Sequence, residues 1–290
     1  MEITFISEDN LDIMRGICLD PSVDKKTRIL MENGMEERIA WVKHMIPKGL
    51  GILLAHEKPR NENIHYKWVG NMLHSDLAIQ GRVYMGLLEY IPIEYALEAI
   101  NGENSLFINC MWILPPFWQT GTGKALLEVF IDKAREYGGA SVIAYDNEKW
   151  LGTSINYMPT SFFKKFGFQK VDHDGSRMLL YIDLGESSPP KFISFKSREL
   201  DKSSQCLEIF FNSQCPWARF MVNSVKKGTE KYPQLTIKCI NTGNSEIVHS
   251  TGISRGICFN GMPIIKRMAS WEEIKSKVDK NINSNQEIKL

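Results

Sequence analysis

Two kinds of apolar spacing alternate along the chain and divide it into short elements. Runs that are apolar throughout or at every second position predict strands, and apolar residues three and four apart predict helices. The predicted strands are residues 1–6, 51–55, 84–90, 105–114, 141–145 and 177–183. The predicted helices are residues 10–18, 36–44, 123–137 and 160–166. This first set of elements is typical of a mixed α/β (α+β) domain.

The pattern stops at residues 185–203, a polar stretch with Pro189 and Pro190, which neither a helix nor a central strand continues through. A fresh strand-and-helix pattern follows it. It predicts strands at 206–211, 235–240 and 263–266, and helices at 216–232 and 270–280. We therefore predict two domains, residues 1–184 and a smaller one at 204–290, joined by a linker at 185–203.

Composition argues against several classes of protein and site. With 35 Lys+Arg against 34 Asp+Glu, the chain of 290 residues has no charge surplus of the kind that nucleic-acid surfaces carry. It has no apolar run of the length that a membrane span needs. Its six cysteines are irregularly spaced, so reduced thiols and a cytoplasmic location are expected. The six histidines form no metal-ligand spacing, and no metal site is predicted.

A glycine turn joins the strand at 105–114 to the helix at 123–137. The turn consists of Gln119, Thr120, Gly121, Thr122, Gly123 and Lys124. Backbone amides at a helix N-terminus converge on one point and favour anions such as phosphate. The turn lacks the spacing of a P-loop and of a dinucleotide fingerprint. By itself it is equally typical of an ordinary strand-to-helix connection.

The order of elements around this turn resembles that of the GNAT family of acetyl-CoA-dependent N-acyltransferases. In that family a strand ending in proline runs into an [Arg/Gln]-x-x-Gly-x-[Gly/Ala] turn. Here Gly121 and Gly123 match, and Trp118 stands in the place of the Arg or Gln. A second family pattern is an asparagine, six residues, and then an aromatic before Lys-Lys-Phe-Gly-Phe, which Asn156 and Phe163 fit.

The resemblance implies a mixed, mostly antiparallel sheet flanked by helices and direct transfer from acetyl-CoA to a small-molecule or peptide amine. It places the pyrophosphate of the cofactor on the amides of the glycine turn, and the pantetheine arm along the end of the preceding strand. A homodimer is possible. The residues it implies for the cofactor are Met111, Trp112, Ile113, Gln119, Thr120, Gly121, Thr122, Gly123, Lys124, Asn156 and Phe163.

Acyl transfer to an amine needs a base for the amine and an acid for the departing thiol. Many members of the family use a tyrosine as the acid, but Phe163 stands at that position, so Tyr157 and Tyr145 become the candidates. Glu89, on the strand at 84–90, is the candidate base, the alternative being a solvent-facing strand residue. His65 and His74 are weaker candidates, in the region of residues 36–76 that is expected to form the acceptor cleft.

A second site of possible chemistry is the strand-to-helix junction at Cys215. A helix N-terminus stabilises a thiolate, and the order Cys215-Pro-Trp-Ala218 with Pro263 before a strand resembles the thioredoxin fold and its cis-proline. Ala218 replaces the second cysteine, so a dithiol is excluded at this turn. A reactive single thiol and a purely structural module both remain open.

Together the two patterns resemble the YoaP-like acetyltransferases, which combine a GNAT domain with a thioredoxin-like domain. The leading hypothesis is an N-acetyltransferase with Glu89, Tyr157 and Cys215 as candidate catalytic residues. The alternative is a non-catalytic acyl-CoA-binding or thiol redox-sensing protein, because Trp118 and Phe163 both depart from the family pattern.

Overall fold

The computed structural model describes residues 1–19, 25–58, 78–79, 82–149, 156–185, 187–196 and 205–287. Two sheets with separate apolar cores organise these residues. The strands of the first part are β1 (Glu2–Phe5), β2 (Gly51–Glu57), β3 (Ala78–Ile79), β4 (Arg82–Pro92), β5 (Ile100–Asn101), β6 (Leu106–Ile113), β7 (Gly139–Tyr145), β8 (Gln169–Asp174) and β9 (Arg177–Asp183). Its helices are α1 (Arg15–Cys18), α2 (Lys25–Met45), α3 (Thr122–Ala134) and α4 (Thr160–Lys164).

The larger sheet runs in the order β1-β2-β4-β6-β7-β9-β8, with β3 paired to β4. Neighbours in it are antiparallel except β6 and β7, which are parallel. The strand β7 is buried at every position, as expected for a central strand covered on both faces. The predicted fold class, a mixed and mainly antiparallel sheet flanked by helices, is confirmed.

The parallel pair β6–β7 opens part-way along its length. Residues 106–108 pair with residues 140–142, and β6 then continues to Ile113 without a β7 partner. On its other side β6 carries a bulge at Asn109, because Glu89 faces Cys110 while Tyr90 faces Ile108. A bulge bends its strand and increases the local twist. The two strands therefore diverge, and a gap opens in the middle of the sheet.

The second sheet has the order β12-β11-β13-β14, in which β11 and β12 are parallel and the other pairs antiparallel. Its elements are β11 (Cys206–Phe211), α5 (Trp217–Thr229), β12 (Thr236–Asn241), α6 (Ser245–Thr251), β13 (Gly256–Phe259), β14 (Met262–Ile265) and α7 (Trp271–Glu287). Helices α5 and α7 pack on the sheet around an apolar core of their own that includes Leu207, Val222 and Ile274.

The hydrophobic pattern missed six elements and misjudged another. Helix α6 and strands β3, β5, β8, β10 (Lys191–Phe192) and β13 were not predicted. Most of them are too short to show a period, and β8 has a single apolar residue, Val171. Strand β10 lies in the predicted linker and pairs with β5, and these two strands form a small sheet of their own. The predicted helix at 10–18 is a 3-10 helix, Glu8–Met14, followed by the single turn of α1.

The two sheets meet along a tight seam between α2 and the start of α5. Gly34 lies so close to the second part that a Cβ there would stand 2.5 Å from the carbonyl oxygen of Pro216. The Trp217 indole donates to the carbonyl of Cys18 at 3.2 Å, and Arg219 pairs with Glu37. The part of the chain after residue 204 is therefore packed directly against the helix that covers the first sheet.

Candidate active site

A cleft of about 590 Å³ opens where β6 leaves β7. All the predicted cofactor residues except Thr120 and Thr122 line it. The lining residues are Met111, Trp112, Ile113, Phe117, Trp118, Gln119, Gly121, Gly123, Lys124, Asn156, Tyr157, Met158, Pro159, Phe162, Phe163 and Lys165. The structure thus brings the glycine turn, the end of β6 and the segment before α4 to one cavity.

The glycine turn shapes one end of the cleft. Gly121 is the N-cap of α3 with a φ of 88°, a left-handed conformation that favours glycine. No neighbouring heavy atom lies within 4 Å of where its Cβ would stand, so the backbone there is open to a ligand. At Gly123 a Cβ would stand 3.2 Å from the Met111 methyl group, at the floor of the cleft. The first amides of α3 therefore face accessible space.

Thr120 and Thr122 do not line the cleft. The Thr120 hydroxyl donates to the carbonyl of Phe117 at 2.7 Å and lies 2.9 Å from the Thr122 hydroxyl. Thr122 is fully buried. Both side chains hold the turn together from within, and the sequence pattern did not distinguish this role from ligand contact.

Trp118, the departure from the family pattern, has a defined position. Its indole NH donates to the carbonyl of Ile113 at 2.8 Å, and about half of the side chain is exposed. It thus ties the turn to the last residue of β6 while its ring lines the cleft.

The opposite wall carries the predicted asparagine and the aromatic group. The Asn156 side-chain oxygen accepts from Lys149 at 2.5 Å. Phe163 is 1 % exposed and lies edge-on to the rings of Phe162 and Phe168. Phe163 therefore supplies an apolar surface. The tyrosine hydroxyl group at this wall is that of Tyr157.

Tyr157 lines the cleft, and Tyr145 lies behind it with the ring centroids 5.4 Å apart. Burial raises the pKa of Tyr157 well above its ordinary value, and burial also raises the pKa of Tyr145. Both hydroxyls therefore hold their protons through neutral pH. Of the two predicted acid candidates, only Tyr157 reaches the cofactor cleft.

Glu89 is completely buried, so the solvent-facing alternative is wrong. Its Oε2 accepts from the Arg38 guanidinium at 2.6 Å, and its Oε1 accepts from the Gln214 side-chain amide at 3.0 Å. Arg38 is 2 % exposed and also donates to the main-chain carbonyl of Gln214. The carboxylate raises the pKa of Arg38 above its ordinary value. A buried pair of this kind is costly to break from one side.

The network continues across the seam. The Gln214 side-chain oxygen accepts from Arg255 at 2.7 Å, Arg255 pairs with Glu98, and Glu98 accepts from Arg177 at 3.1 Å. Sequence reasoning missed Gln214, Arg255 and Glu98. No motif marks them, because their contacts join residues as much as 157 positions apart.

The surroundings of Cys215 oppose the expected stabilisation of its thiolate. Burial raises the pKa of this thiol, and the cations of Arg255 and Arg38 lower it by less than burial raises it. Burial also raises the pKa of Cys18 to about 11 and that of Cys110 well above the ordinary value. Pro263 lies in β14, and the described backbone holds no cis peptide bond, so the expected cis-proline is wrong.

Three further expectations concern the histidine candidates, a metal site and a membrane span. His65 and His74, with much of the expected acceptor region at 36–76, lie outside the described residues. Among the residues the structure describes, no three His, Cys, Asp or Glu side chains gather as a metal site needs. No described helix has the length and apolar character to cross a membrane.

Residues 53–168 match the family described as "Acetyltransferase (GNAT) family". This segment is therefore similar to GNAT acetyltransferase domains. It contains the splayed strands, the glycine turn, Asn156 and Phe163, and the prediction of an acyltransferase is confirmed. A curated relative, the uncharacterized N-acetyltransferase YoaP of Bacillus subtilis (strain 168), is 25% identical over 204 residues, covering 69% of each chain.

Solved structures of the same class are more distant. The PaiA N-acetyltransferase of Thermoplasma acidophilum in complex with coenzyme A is 14% identical, with a TM-score of 0.38, covering 63% of this chain and 99% of that one. The GNAT family N-acetyltransferase YhbS of Escherichia coli in complex with CoA is 10% identical, with a TM-score of 0.38, covering 66% and 88%. The assignment of the domain rests on the family match.

Replacing Glu89 by Gln tests the buried network. The change leaves the Arg38 charge buried without a counter-ion, so we expect a loss of about 3–5 kcal/mol in the free energy of unfolding. Urea unfolding followed by circular dichroism measures it. Glu103→Gln, at an exposed position of the same domain, is the control and is expected to change stability by less than about 0.5 kcal/mol. Equal stability of the two variants would contradict a buried ion pair.

The raised thiol pKa values predict an order of alkylation. At pH 7.5 the exposed Cys239 is expected to react with iodoacetamide at least about tenfold faster than Cys18, Cys110 and Cys215, because the thiolate is the nucleophile. Peptide mass spectrometry of the intact, briefly treated protein measures each rate, and Cys239→Ser supplies the background. Preferential labelling of Cys215 would restore the reactive-thiol hypothesis.

Proposed function

We propose that the protein is an acetyl-CoA-dependent N-acetyltransferase that acts by direct transfer to an amine. The observation that carries the proposal is the cleft itself: the open N-terminus of α3, the end of β6 beyond its pairing with β7, and Asn156 share one cavity within the segment that matches the GNAT family. When bound, acetyl-CoA supplies an acetyl thioester whose acyl group passes to the amine nitrogen, the C–S bond breaking as a proton reaches the thiol.

The residues present fit this cofactor. The amides that begin α3 and the ammonium group of Lys124 suit the pyrophosphate, because a helix N-terminus favours anions and Gly121 leaves it uncovered. The end of β6 at Met111–Ile113 has no β7 partner and offers main-chain groups to the pantetheine arm. Asn156 offers an amide on the opposite wall. The complexes with coenzyme A of PaiA and YhbS are in keeping with this choice.

Two residues are proposed to handle protons. The Tyr157 hydroxyl keeps its proton at neutral pH and lines the cleft, so it is placed to donate toward the leaving sulfur. Glu89 remains the proposed acceptor of the amine proton, through water. Its pairing with Arg38 and Gln214 orients the carboxylate and also makes it a structural element. Activity of a Glu89 variant is therefore informative only at a temperature where the variant is folded.

The part after residue 204 is proposed to be a thioredoxin-like domain with a structural and recognition role. The supporting observations are its β-α-β start, with β11 parallel to β12, and the antiparallel pair β13–β14 that follows. The raised pKa of Cys215 argues against redox catalysis by this domain. The alternative of a non-catalytic thiol sensor is not favoured, because the family match and the thiol chemistry both oppose it.

The glycine turn offers a direct test of the cofactor. Gly121→Val forces a β-branched residue into φ = 88°, and Gly123→Val presses on Met111 and the ring of Phe162. We expect the double variant to raise the Kd for coenzyme A at least about 30-fold, measured by calorimetry. Gly175→Val, a left-handed turn with equally open surroundings outside the cleft, is the control. Retention of wild-type affinity by the double variant would refute the pyrophosphate site.

Tyr157→Phe tests the proposed acid. The variant keeps the ring contact with Tyr145 and loses only the hydroxyl, so kcat is expected to fall about 100-fold while the Kd for coenzyme A stays within about twofold. Because the pKa of Tyr157 is raised, the protonated and active form persists, and wild-type kcat should show no loss from this group below about pH 10. Tyr137→Phe, at a partly buried tyrosine outside the cleft, is the control. Equal kcat losses in the two variants would contradict the assignment.

A further inference from the structure

A second, smaller crevice lies where the two sheets meet. It has a volume of about 30 Å³. Both parts of the chain form its walls: Glu98, Tyr145, Glu148, Lys149 and Tyr157 on one side, and Arg255, Lys266, Arg267 and Met268 on the other. A space of this volume holds about two water molecules, which is the size of a carboxylate or an amino group.

The crevice adjoins the cofactor cleft through one residue. Tyr157 lines both cavities, and its main-chain NH donates to the carbonyl of Glu148 in the crevice wall at 3.0 Å. The crevice and the cleft therefore share Tyr157 as a wall. Direct transfer requires the acceptor amine to lie next to the donor, so this crevice is well placed for the acceptor.

The charges around the crevice favour an acceptor that carries an anionic group. Four cationic side chains line it against two carboxylates. The carboxylates are already paired, Glu98 with Arg255 and Glu148 with Arg267. Lys149 donates to Asn156 and has no carboxylate partner among the described residues. Among the lining cations, Lys266 also pairs with Asp174 and Arg267 also with Glu273, so the positive excess at the crevice is centred on Lys149.

Among the three cations in the wall formed by the part after residue 204, Lys266 has the most exposed side chain. Its ammonium group contacts both oxygens of Asp174, at 2.8 and 3.0 Å, and its side chain is 27 % exposed. An ammonium group has three donors, so this pairing leaves capacity for another acceptor. Arg255 in the same wall is almost buried and is held by Gln214 and Glu98.

We propose that the acceptor is a small primary amine that bears a carboxylate, such as an amino acid, and that its carboxylate binds in this interdomain crevice. The C-terminal part of the chain thus supplies half of the acceptor site, through Lys266 and Arg255. This inference rests on the acetyl-CoA-dependent activity proposed above and adds the class of its second substrate.

The experiment compares matched acceptors on the full chain. Calorimetry with coenzyme A first establishes donor binding. Thiol release from acetyl-CoA is then followed with each of the common L-amino acids beside its own amide, which lacks the negative charge. An amide has the more easily deprotonated amine, so a preference for the acid reports recognition. We expect at least one acid to be used at least about tenfold better in kcat/KM than its amide.

Two lysine variants locate the recognition. Lys266→Gln is expected to raise KM and the calorimetric Kd for that acid about tenfold in the presence of coenzyme A, leaving values for the amide unchanged. Lys275→Gln is the matched control, an ion-paired lysine of the same domain away from the crevice, and should behave as wild type. Equal use of acids and amides, or identical behaviour of the two variants, would overturn the proposal.

Coenzyme A binding and amine acetylation distinguish failure of the acceptor assignment from failure of the proposed acetyltransferase function. Absence of coenzyme A binding refutes the donor site and the proposed function. Coenzyme A binding together with failure to bind or acetylate any of the carboxylate-bearing amines leaves the donor site standing and overturns only the acceptor assignment.

Discussion

The buried pair of Arg38 and Glu89 is the interaction on which the arrangement of the two sheets depends. Neither charge reaches solvent, so each requires the other, and the remaining hydrogen-bond capacity must be filled locally. Gln214 fills part of it, with its side-chain amide on Glu89 and its main-chain carbonyl on Arg38. A helix over the sheet, a central strand and the second domain are thus held by one set of donors and acceptors. Separating the domains would expose or orphan these groups.

This constraint places the second domain beside the candidate active site. The side-chain amide of Gln214 also lies 3.4 Å from the carbonyl of Asn109, the bulge residue at which β6 turns away from β7. The same bulge that opens the cofactor cleft on one side therefore meets the second domain on the other. In the neighbouring crevice, Arg255 and Lys266 of the part after residue 204 form one wall. The proposed acceptor site therefore lies at the seam between the two sheets.

The cysteines show how competing electrostatic effects are decided by environment. A helix N-terminus and nearby guanidinium groups both favour a thiolate at Cys215, which was the basis of the sequence expectation. Burial of the Cys215 thiol removes water, and desolvation of the charged form outweighs those attractions. The cations are in addition already neutralised by Glu89 and Glu98. A sequence motif identifies the residues adjacent to the thiol, but it does not show whether the fold buries that thiol away from water.

Local sequence determined the elements and the cofactor cleft. Periodicity located most strands and helices, and Gly121 with its neighbours marked the turn, because positive φ and apolar alternation are properties of short segments. Tertiary structure alone decided the burial of Glu89, the inward role of Thr122 and the state of Cys215. It also decided the partnership of Gln214 with Glu89, which lie 125 positions apart. Solvent exclusion and long-range pairing are properties of the folded arrangement, and no spacing along the chain encodes them.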